Sequence, residues 1–159
     1  SNVVINAPTS GGDDRDVIQV VANNVTIEGF KVQGAKDISG GGGGRTNSGI
    51  VVGGDYFILG SKPSGATDFT FGGWWAIDAS NVTIQNNICT DNSYGIFLFH
   101  CQNVTVENNE IHSNTQDVDT WSGKGIVVYT SRDMADDDLA VGGTALQATN
   151  DITINNNNI

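Results

Sequence analysis

The sequence predicts an all-β protein built as a parallel β-helix, a solenoid in which each coil stacks on the previous one. A phrase of alternating apolar and polar residues, N-V-T-I-Q-N-N-I, begins at Asn81 and returns as N-V-T-V-E-N-N-E-I at Asn103, 22 residues later. A second phrase of the type G-I-x-L precedes most copies of the first. Sustained helical periodicity is absent. Self-similarity at this period is typical of repeats that bury their apolar positions only by stacking on neighbours.

Each phrase reads as a short strand. Val82 and Ile84 are expected to face the interior, with Thr83 and Gln85 outside, because successive side chains of a strand alternate. Asn and Gly at the phrase ends suit tight corners, since both tolerate left-handed backbone conformations. The recognisable copies of the first phrase begin at Asn24, Asn81, Asn103 and Asp151, with a degenerate copy at 55–60 and a partial one at 2–6.

Taken in chain order, these strands predict about five to six coils, each rising roughly 4.8 Å on the last. The predicted coils span about 17–34, 49–62, 74–92 and 94–114, with a fifth that starts at 124 and resumes at 150–159. The predicted loops are 35–48, 63–73, 115–123 and 131–149. We interpret residues 1–159 as one β-helix domain, either whole or a fragment of a longer solenoid.

The joined phrases N-V-T-I-x-N-N-x-I and G-I-x-L resemble the parallel β-helix repeats of pectate-lyase-like and NosD-like proteins. The resemblance covers most of the chain and implies a right-handed helix. It implies less about function, because that superfamily includes lyases, hydrolases, epimerases, binding modules and structural fibres.

Composition narrows the classes of partner. The chain carries 18 acidic residues against 7 Lys and Arg, for a formal net charge of −11. This charge argues against binding to nucleic acid or to anionic membranes, and it permits cation binding. No apolar run approaches transmembrane length, so no membrane insertion is expected. We predict a secreted or cell-surface location.

The register predicts an apolar stripe on the outer face. Ile96 and Leu98 should point inwards, with Phe97 and Phe99 outwards. The aligned outward positions are Val51, Trp75 and Val127 in one column and Gly53, Ile77 and Tyr129 in the next. Three explanations are open: loops that cover the stripe, a platform on which sugar rings stack, and a protein interface. The candidate ligand-binding residues are Trp75, Phe97, Phe99, Trp121 and Tyr129.

Catalytic residues are harder to assign. The resemblance implies that a polysaccharide lyase would combine Ca²⁺-binding carboxylates with an Arg or Lys base. The best candidates are Asp117, Asp119, Lys124 and Arg132. The motifs of pectin-type hydrolases are absent. Asp78 and His100 share a register position, where a surface pair is favoured over an acid–base pair, and His112 is expected to face solvent.

Three further sets of residues are weaker candidates. Two aspartate clusters could bind Ca²⁺, although neither has the spacing of an EF-hand or of a calcium β-roll: Asp13, Asp14 and Asp16, and Asp136, Asp137 and Asp138. Three N-x-T sequons, at Asn24, Asn81 and Asn103, are glycosylation candidates, but a role at the corners is favoured. Cys89 and Cys101 align with Ile111 and Ala79, which favours buried free thiols, while a disulfide remains an alternative.

The expected function is therefore an extracellular module that binds polysaccharide or has a structural role at a surface, without complete catalytic machinery. One alternative is a lyase or epimerase acting on acidic glycans. Another is a subunit that stacks head to tail with other copies into a filament, because an open end of a β-helix exposes unpaired strand edges.

Overall fold

The computed structural model describes residues 3–7, 16–36, 47–53, 55–57, 67–68, 74–76, 79–115, 123–129 and 149–159. These ranges contain strands but no helix, and so no helix there is long and apolar enough to cross a membrane. The strands are β1 (Val3–Asn6), β2 (Ile18–Val20), β3 (Val25–Glu28), β4 (Phe30–Gln33), β5 (Ser48–Val52), β6 (Asp55–Phe57), β7 (Thr67–Asp68), β8 (Trp74–Ala76), β9 (Ala79–Gln85), β10 (Ile88–Thr90), β11 (Tyr94–Phe99), β12 (Cys101–Glu107), β13 (Glu110–His112), β14 (Lys124–Tyr129) and β15 (Asn150–Asn155).

Three parallel sheets of four strands form the solenoid, which confirms the predicted parallel β-helix. Sheet A has the order β1-β4-β10-β13, sheet B β14-β11-β5-β2 and sheet C β15-β12-β9-β3. The chain passes through a strand of sheet B, then sheet C, then sheet A, before it returns to sheet B one level higher. Every main sheet is therefore assembled from strands far apart in sequence.

The 22-residue register is confirmed residue by residue. Val82 pairs with Val104 and Ile84 with Val106, and all four side chains are almost wholly buried. The predicted alignments of Cys89 with Ile111 and of Cys101 with Ala79 also hold. The interior is a stack of columns in which β-branched side chains pack on copies of themselves, and this burial is the main source of stability.

One predicted coil is wrong. Residues 55–57 of the degenerate phrase form β6 and do not join the parallel sheets: β6 and β7 both pair antiparallel with β8 in a small separate sheet. β5 instead lies directly beside β11, with Val51 opposite Phe97. The second coil consequently consists of β5, β9 and β10, and residues 53–78 are an insertion within it. With four strands in each main sheet, the described part completes about four turns, where five to six were expected.

A buried asparagine ladder lies at the corner between sheets C and A. The backbone N–H and Nδ2 of Asn87 donate to Oδ1 of Asn109 at 3.0 and 3.1 Å, and Asn109 donates in the same way to Asn157. Nδ2 of Asn109 also donates to the carbonyl of Ile84. Each amide thus satisfies backbone groups that a sharp corner would leave unpaired, as buried polar groups require.

A second, shorter ladder holds the corner between sheets A and B. The N–H of Asn92 donates to Oδ1 of Asn114 at 3.1 Å, and Nδ2 of Asn114 donates to the carbonyl of Cys89. Gly49 and Gly95, which begin two of the G-I-x-L phrases, pack beside this ladder. A Cβ at Gly95 would lie 2.5 Å from the carbonyl oxygen of Gly125 and 3.0 Å from Nδ2 of Asn114. The glycine in the repeat is therefore a requirement of close packing rather than of flexibility.

The last described winding leaves part of its apolar layer open. Val128 lies above Leu98, and Ile154 lies above Val106, in the inward columns. Leu98 and Val106 are fully buried, whereas Val128 is 40% exposed and Ile154 is 43% exposed. This layer of the solenoid consequently presents core-type residues at its surface.

Candidate functional site

The outer face of sheet B lies between the two corners from which all the long connections leave. Residues 34–47 and 113–123 join sheet A to sheet B, and residues 53–78 and 130–149 join sheet B to sheet C. The corner between sheets C and A uses only one or two residues in each winding, such as Asn86 and Asn87. Because insertions concentrate on both borders of sheet B, its outer face is the candidate functional surface of the molecule.

The outward column through the centre of sheet B contains Gln19, Val51, Phe97 and Val127. Ile96 and Leu98 on either side of Phe97 are fully buried in the interior, so the predicted orientation of β11 is confirmed. Phe97 is partly exposed, whereas only 2% of the Val51 surface is exposed. One part of the outer face is therefore covered and another part is accessible.

The two phenylalanines have different environments. Phe99 shares the outward parity of Phe97, yet it is only 7% exposed, and its ring lies 3.9 Å from the imidazole of His100. The rings of Phe97 and Phe99 contact edge to face at 6.3 Å. Burial of Phe99 agrees with the alternative in which other groups cover the predicted stripe, whereas Phe97 remains partly exposed.

Sequence reasoning missed the aromatic partner of Phe97. Tyr94 contacts the Phe97 ring edge to face, with centroids 5.5 Å apart and an interplanar angle of 80°. Lys124 is the register neighbour of Tyr94 in the next winding, and its Nζ lies 5.7 Å from the centre of the Tyr94 ring. The register of Gly95 with Gly125 in the two G-I-x-L phrases would have revealed this pair, since the preceding residues must then also align.

The remaining members of the predicted aromatic stripe have other positions or lie outside the described residues. Trp75 does not stack between Val51 and Phe97: its backbone pairs antiparallel with Tyr56 and Asp68 in the small sheet. The backbone of Tyr129 pairs with Phe99, as the register requires. The side chains of Trp75 and Tyr129, together with Trp121 and Ile77, lie outside the described part of the chain.

Only Lys124 of the catalytic candidates is described, and its Nζ lies over the ring of Tyr94. Asp117, Asp119 and Arg132 lie outside the described residues, as do Asp13, Asp14, Asp136, Asp137 and Asp138. Oδ1 of Asp16 accepts the backbone N–H of Ser48 at 2.7 Å, and so this carboxylate holds the start of β5. Among the described residues, no group of three or more His, Cys, Asp or Glu is arranged to bind a metal ion.

The two histidines differ in accessibility. His100 is fully buried at a left-handed corner with φ of 48°, where a surface position was expected, and its pairing with Asp78 stays a prediction. Asp78 itself lies outside the described residues. His112 is exposed, as predicted, and lies on the outer face of sheet A.

The three sequon asparagines form a ladder of their own on the surface. Nδ2 of Asn103 donates to Oδ1 of Asn81 at 2.7 Å, and Nδ2 of Asn81 donates to Oδ1 of Asn24 at 3.1 Å. All three have φ between 50° and 59°, which is the corner conformation expected of them. Glycosylation at these positions stays a prediction.

Both cysteines are free and buried, on different sheets of the coil. Burial raises the pKa of the Cys89 thiol from 9.0 to about 12. Burial also raises the pKa of Cys101 to about 12, although hydrogen bonds from the Phe99 backbone and the Thr149 side chain oppose the rise. These thiols fill the core as small apolar groups, and the disulfide alternative is not realised.

Comparison with known families agrees with this architecture. The family described as "Right handed beta helix region" matches residues 1–159, and the chain belongs to it. Neither the curated proteins nor the solved structures contain a match to the chain. Membership defines the class of protein, and the residues on the outer face of sheet B must carry any argument about its ligand.

Proposed function

We propose that this protein is a carbohydrate-binding β-helix module whose binding surface is the outer face of sheet B. The observation that supports it is the contact between Tyr94 and Phe97, two aromatic rings on the outer face of the sheet that the long connections border. Phe97 and Tyr94 are both partly exposed, so sugar C–H groups could reach their rings.

The neighbouring residues favour a ligand with both apolar and polar faces. Val127, which is partly exposed, lies beside Phe97 along the axis and extends the apolar surface of the face. At the border, Lys124 provides an ammonium group above the ring of Tyr94. A sugar ring combines C–H faces with hydroxyl groups, and it would use stacking in the centre and hydrogen bonding at Lys124.

The proposal includes a polysaccharide partner and a secreted or cell-surface location, where such polymers are encountered. It does not include catalysis, because Lys124 is the single member of the predicted catalytic set among the described residues. Fractionation of the producing cells would test the location directly.

The test is affinity electrophoresis of the 159-residue chain through gels that contain β-glucan, xylan, pectate or alginate. We expect retention by at least one polymer, and we expect Phe97→Ala to weaken it by about tenfold, the equivalent of about 1.4 kcal/mol of lost contact. Ile88→Ala is the matched control, since it removes a partly buried apolar side chain from β10 in sheet A, outside sheet B. Equal retention of all three proteins, or retention by none of the polymers, would contradict the proposal.

The enzymatic alternative has its own readout in the same samples. A lyase acting on pectate or alginate produces an unsaturated sugar that absorbs in the ultraviolet. Appearance of that absorbance, with or without added Ca²⁺, would replace the binding proposal by the lyase interpretation.

A further inference from the structure

We propose that Glu110 and His112, on the outer face of sheet A, form a binding site for a divalent transition metal of the zinc class. The site is independent of the proposed carbohydrate surface, which lies on a different sheet. Nε2 of His112 and Oε1 of Glu110 are 3.2 Å apart, and about half of each side chain is exposed. Both ligand atoms are therefore accessible to an ion from solvent.

The strand itself brings the two side chains together. β13 alternates, so Glu110 and His112 project from the outer face while Ile111 between them is 1% exposed in the core. β13 pairs in parallel with β10, which places Ile111 beside Cys89. This pairing fixes the position of β13 along the solenoid axis and its direction. The two ligands are thus positioned by buried neighbours rather than by flexible loops.

The separation of the ligand atoms suits tetrahedral coordination. Zinc binds His nitrogen and carboxylate oxygen at about 2.0–2.2 Å, which places two ligand atoms of a tetrahedron roughly 3.3–3.5 Å apart. The observed 3.2 Å is close to this value, and so a metal ion requires only a small movement of either side chain.

The other ring nitrogen of His112 has hydroxyl neighbours. Nδ1 lies 3.1 Å from Oγ of Ser113 and 3.5 Å from Oγ1 of Thr90. A metal-binding imidazole usually donates its second N–H to a neighbouring acceptor, which fixes the tautomer and the ring orientation. When metal replaces the proton on Nε2, the neutral ring carries its proton on Nδ1, and Ser113 Oγ can accept it.

The donor set selects the class of metal. Imidazole nitrogen suits Zn²⁺, Ni²⁺ and Cu²⁺, whereas Ca²⁺ requires six to eight oxygen ligands, which this pair does not supply. Two protein ligands are fewer than the three or four of most zinc sites, so water or a group from a bound partner would fill the remaining positions of the metal. The net charge of −11 raises the concentration of cations near the surface.

The test is titration of the 159-residue chain with Zn²⁺ by calorimetry, together with NMR of the His112 ring protons. We expect one bound ion and a shift of the His112 signals. Binding should be lost in His112→Ala and weakened at least tenfold in Glu110→Gln. In Ser113→Ala we expect a loss of about tenfold, the lower end of the range for residues that orient a metal ligand.

Glu107→Gln is the matched control, because it removes the same charge from sheet C. It should bind Zn²⁺ as the parent chain does. Equal weakening by Glu107→Gln and Glu110→Gln would show general attraction of cations and would overturn the proposal. An unshifted His112 signal at saturating Zn²⁺ would also overturn it. Far-ultraviolet circular dichroism of each variant confirms that it is folded.

Discussion

At the scale of single residues, asparagine performs two different tasks in this chain. The first residue of each Asn-Asn pair takes a left-handed backbone conformation, with φ of 55° at both Asn86 and Asn108. The second residue, Asn87 or Asn109, is buried, and its amide bonds the chain to the windings on both sides. The sequence showed where the corners are, but the inward rotation of the second side chain depends on the neighbouring windings.

Asn109→Ala should destabilise the fold strongly. It leaves both donors of Asn87 without their Oδ1 acceptor and the carbonyl of Ile84 without its Nδ2 donor. Leaving buried polar groups unsatisfied costs about 1–3 kcal/mol each, and so we expect a loss of about 2–4 kcal/mol in the free energy of unfolding. Urea denaturation measures it. Asn103→Gly, in the exposed ladder, is the control: it removes the amide but keeps a residue that tolerates the φ of 50°, and it should cost less than about 1 kcal/mol.

The buried thiols predict a specific response to alkaline pH. The Cys89 thiol has a pKa of 9.0 when exposed in the unfolded chain and about 12 when folded. Above pH 9 the unfolded state therefore loses its proton first. The stability that each thiol contributes is complete below that pH and is lost as pH rises towards 12, by about 1.4 kcal/mol per unit.

Cys89→Val should make the free energy of unfolding fall less steeply between pH 9 and pH 11 than in the parent chain. Valine is chosen because Val32 occupies the same inward column. Urea denaturation at three pH values gives the two slopes. Parallel slopes would mean that the Cys89 thiol ionises equally in both states.

At the scale of elements, the same short phrases specify strands but not their partners. The phrases at 25–28, 79–85 and 101–107 pair in parallel within sheet C as expected. The similar phrase at 55–57 pairs antiparallel with β8 instead. Alternation of apolar and polar residues suits both parallel and antiparallel pairing. Which pairing a strand adopts therefore depends on the strands that lie beside it in the folded chain.

The glycines before Ile50, Ile96 and Ile126 in sheet B are required by close packing between elements. In Gly95→Ala the new methyl group would meet the Gly125 carbonyl oxygen and Cγ2 of Ile111, each at 2.5 Å. Because one of these neighbours is a backbone atom that cannot move aside easily, we expect the free energy of unfolding to fall by about 1–3 kcal/mol, as for overpacking of a core. Thermal unfolding measures it.

Gly29→Asn is the matched substitution at a corner. Gly29 has φ of 77° with open space around its missing side chain, and its counterparts in later windings are asparagines. The free energy of unfolding of Gly29→Asn should remain within about 1 kcal/mol of the parent value, because asparagine tolerates this conformation. A greater loss in Gly29→Asn than in Gly95→Ala would contradict the packing argument.

At the scale of the whole molecule, the solenoid has different surfaces on its three sides and at its last winding. Sheet B lies between long insertions, sheet C presents a column of threonines that includes Thr83 and Thr105, and sheet A carries Glu110 and His112. The last described winding exposes Val128 and Ile154, which belong to inward columns. Exposed core residues beside unpaired strand edges favour association with another β-layer.

We therefore expect the 159-residue chain to associate in a concentration-dependent manner, as the head-to-tail alternative requires. The double variant Val128→Lys and Ile154→Lys should reduce this association, because charge on the exposed layer opposes burial. Light scattering over a range of concentrations measures it. A monomeric parent chain at high concentration would exclude association through this surface.

The sequence by itself determined the parallel β-helix fold, the residues that face its interior and the 22-residue register. Similar phrases 22 residues apart bury Val82, Ile84 and their repeats by stacking on one another. The burial of both cysteines and the outward orientation of Phe97 followed from that register. Only the tertiary structure decided which phrase joined the stack, that Phe99 and His100 are covered, and that Glu110 meets His112. The physical reason is that stacking is a repeated local rule, whereas covering and side-chain pairing depend on groups distant in sequence.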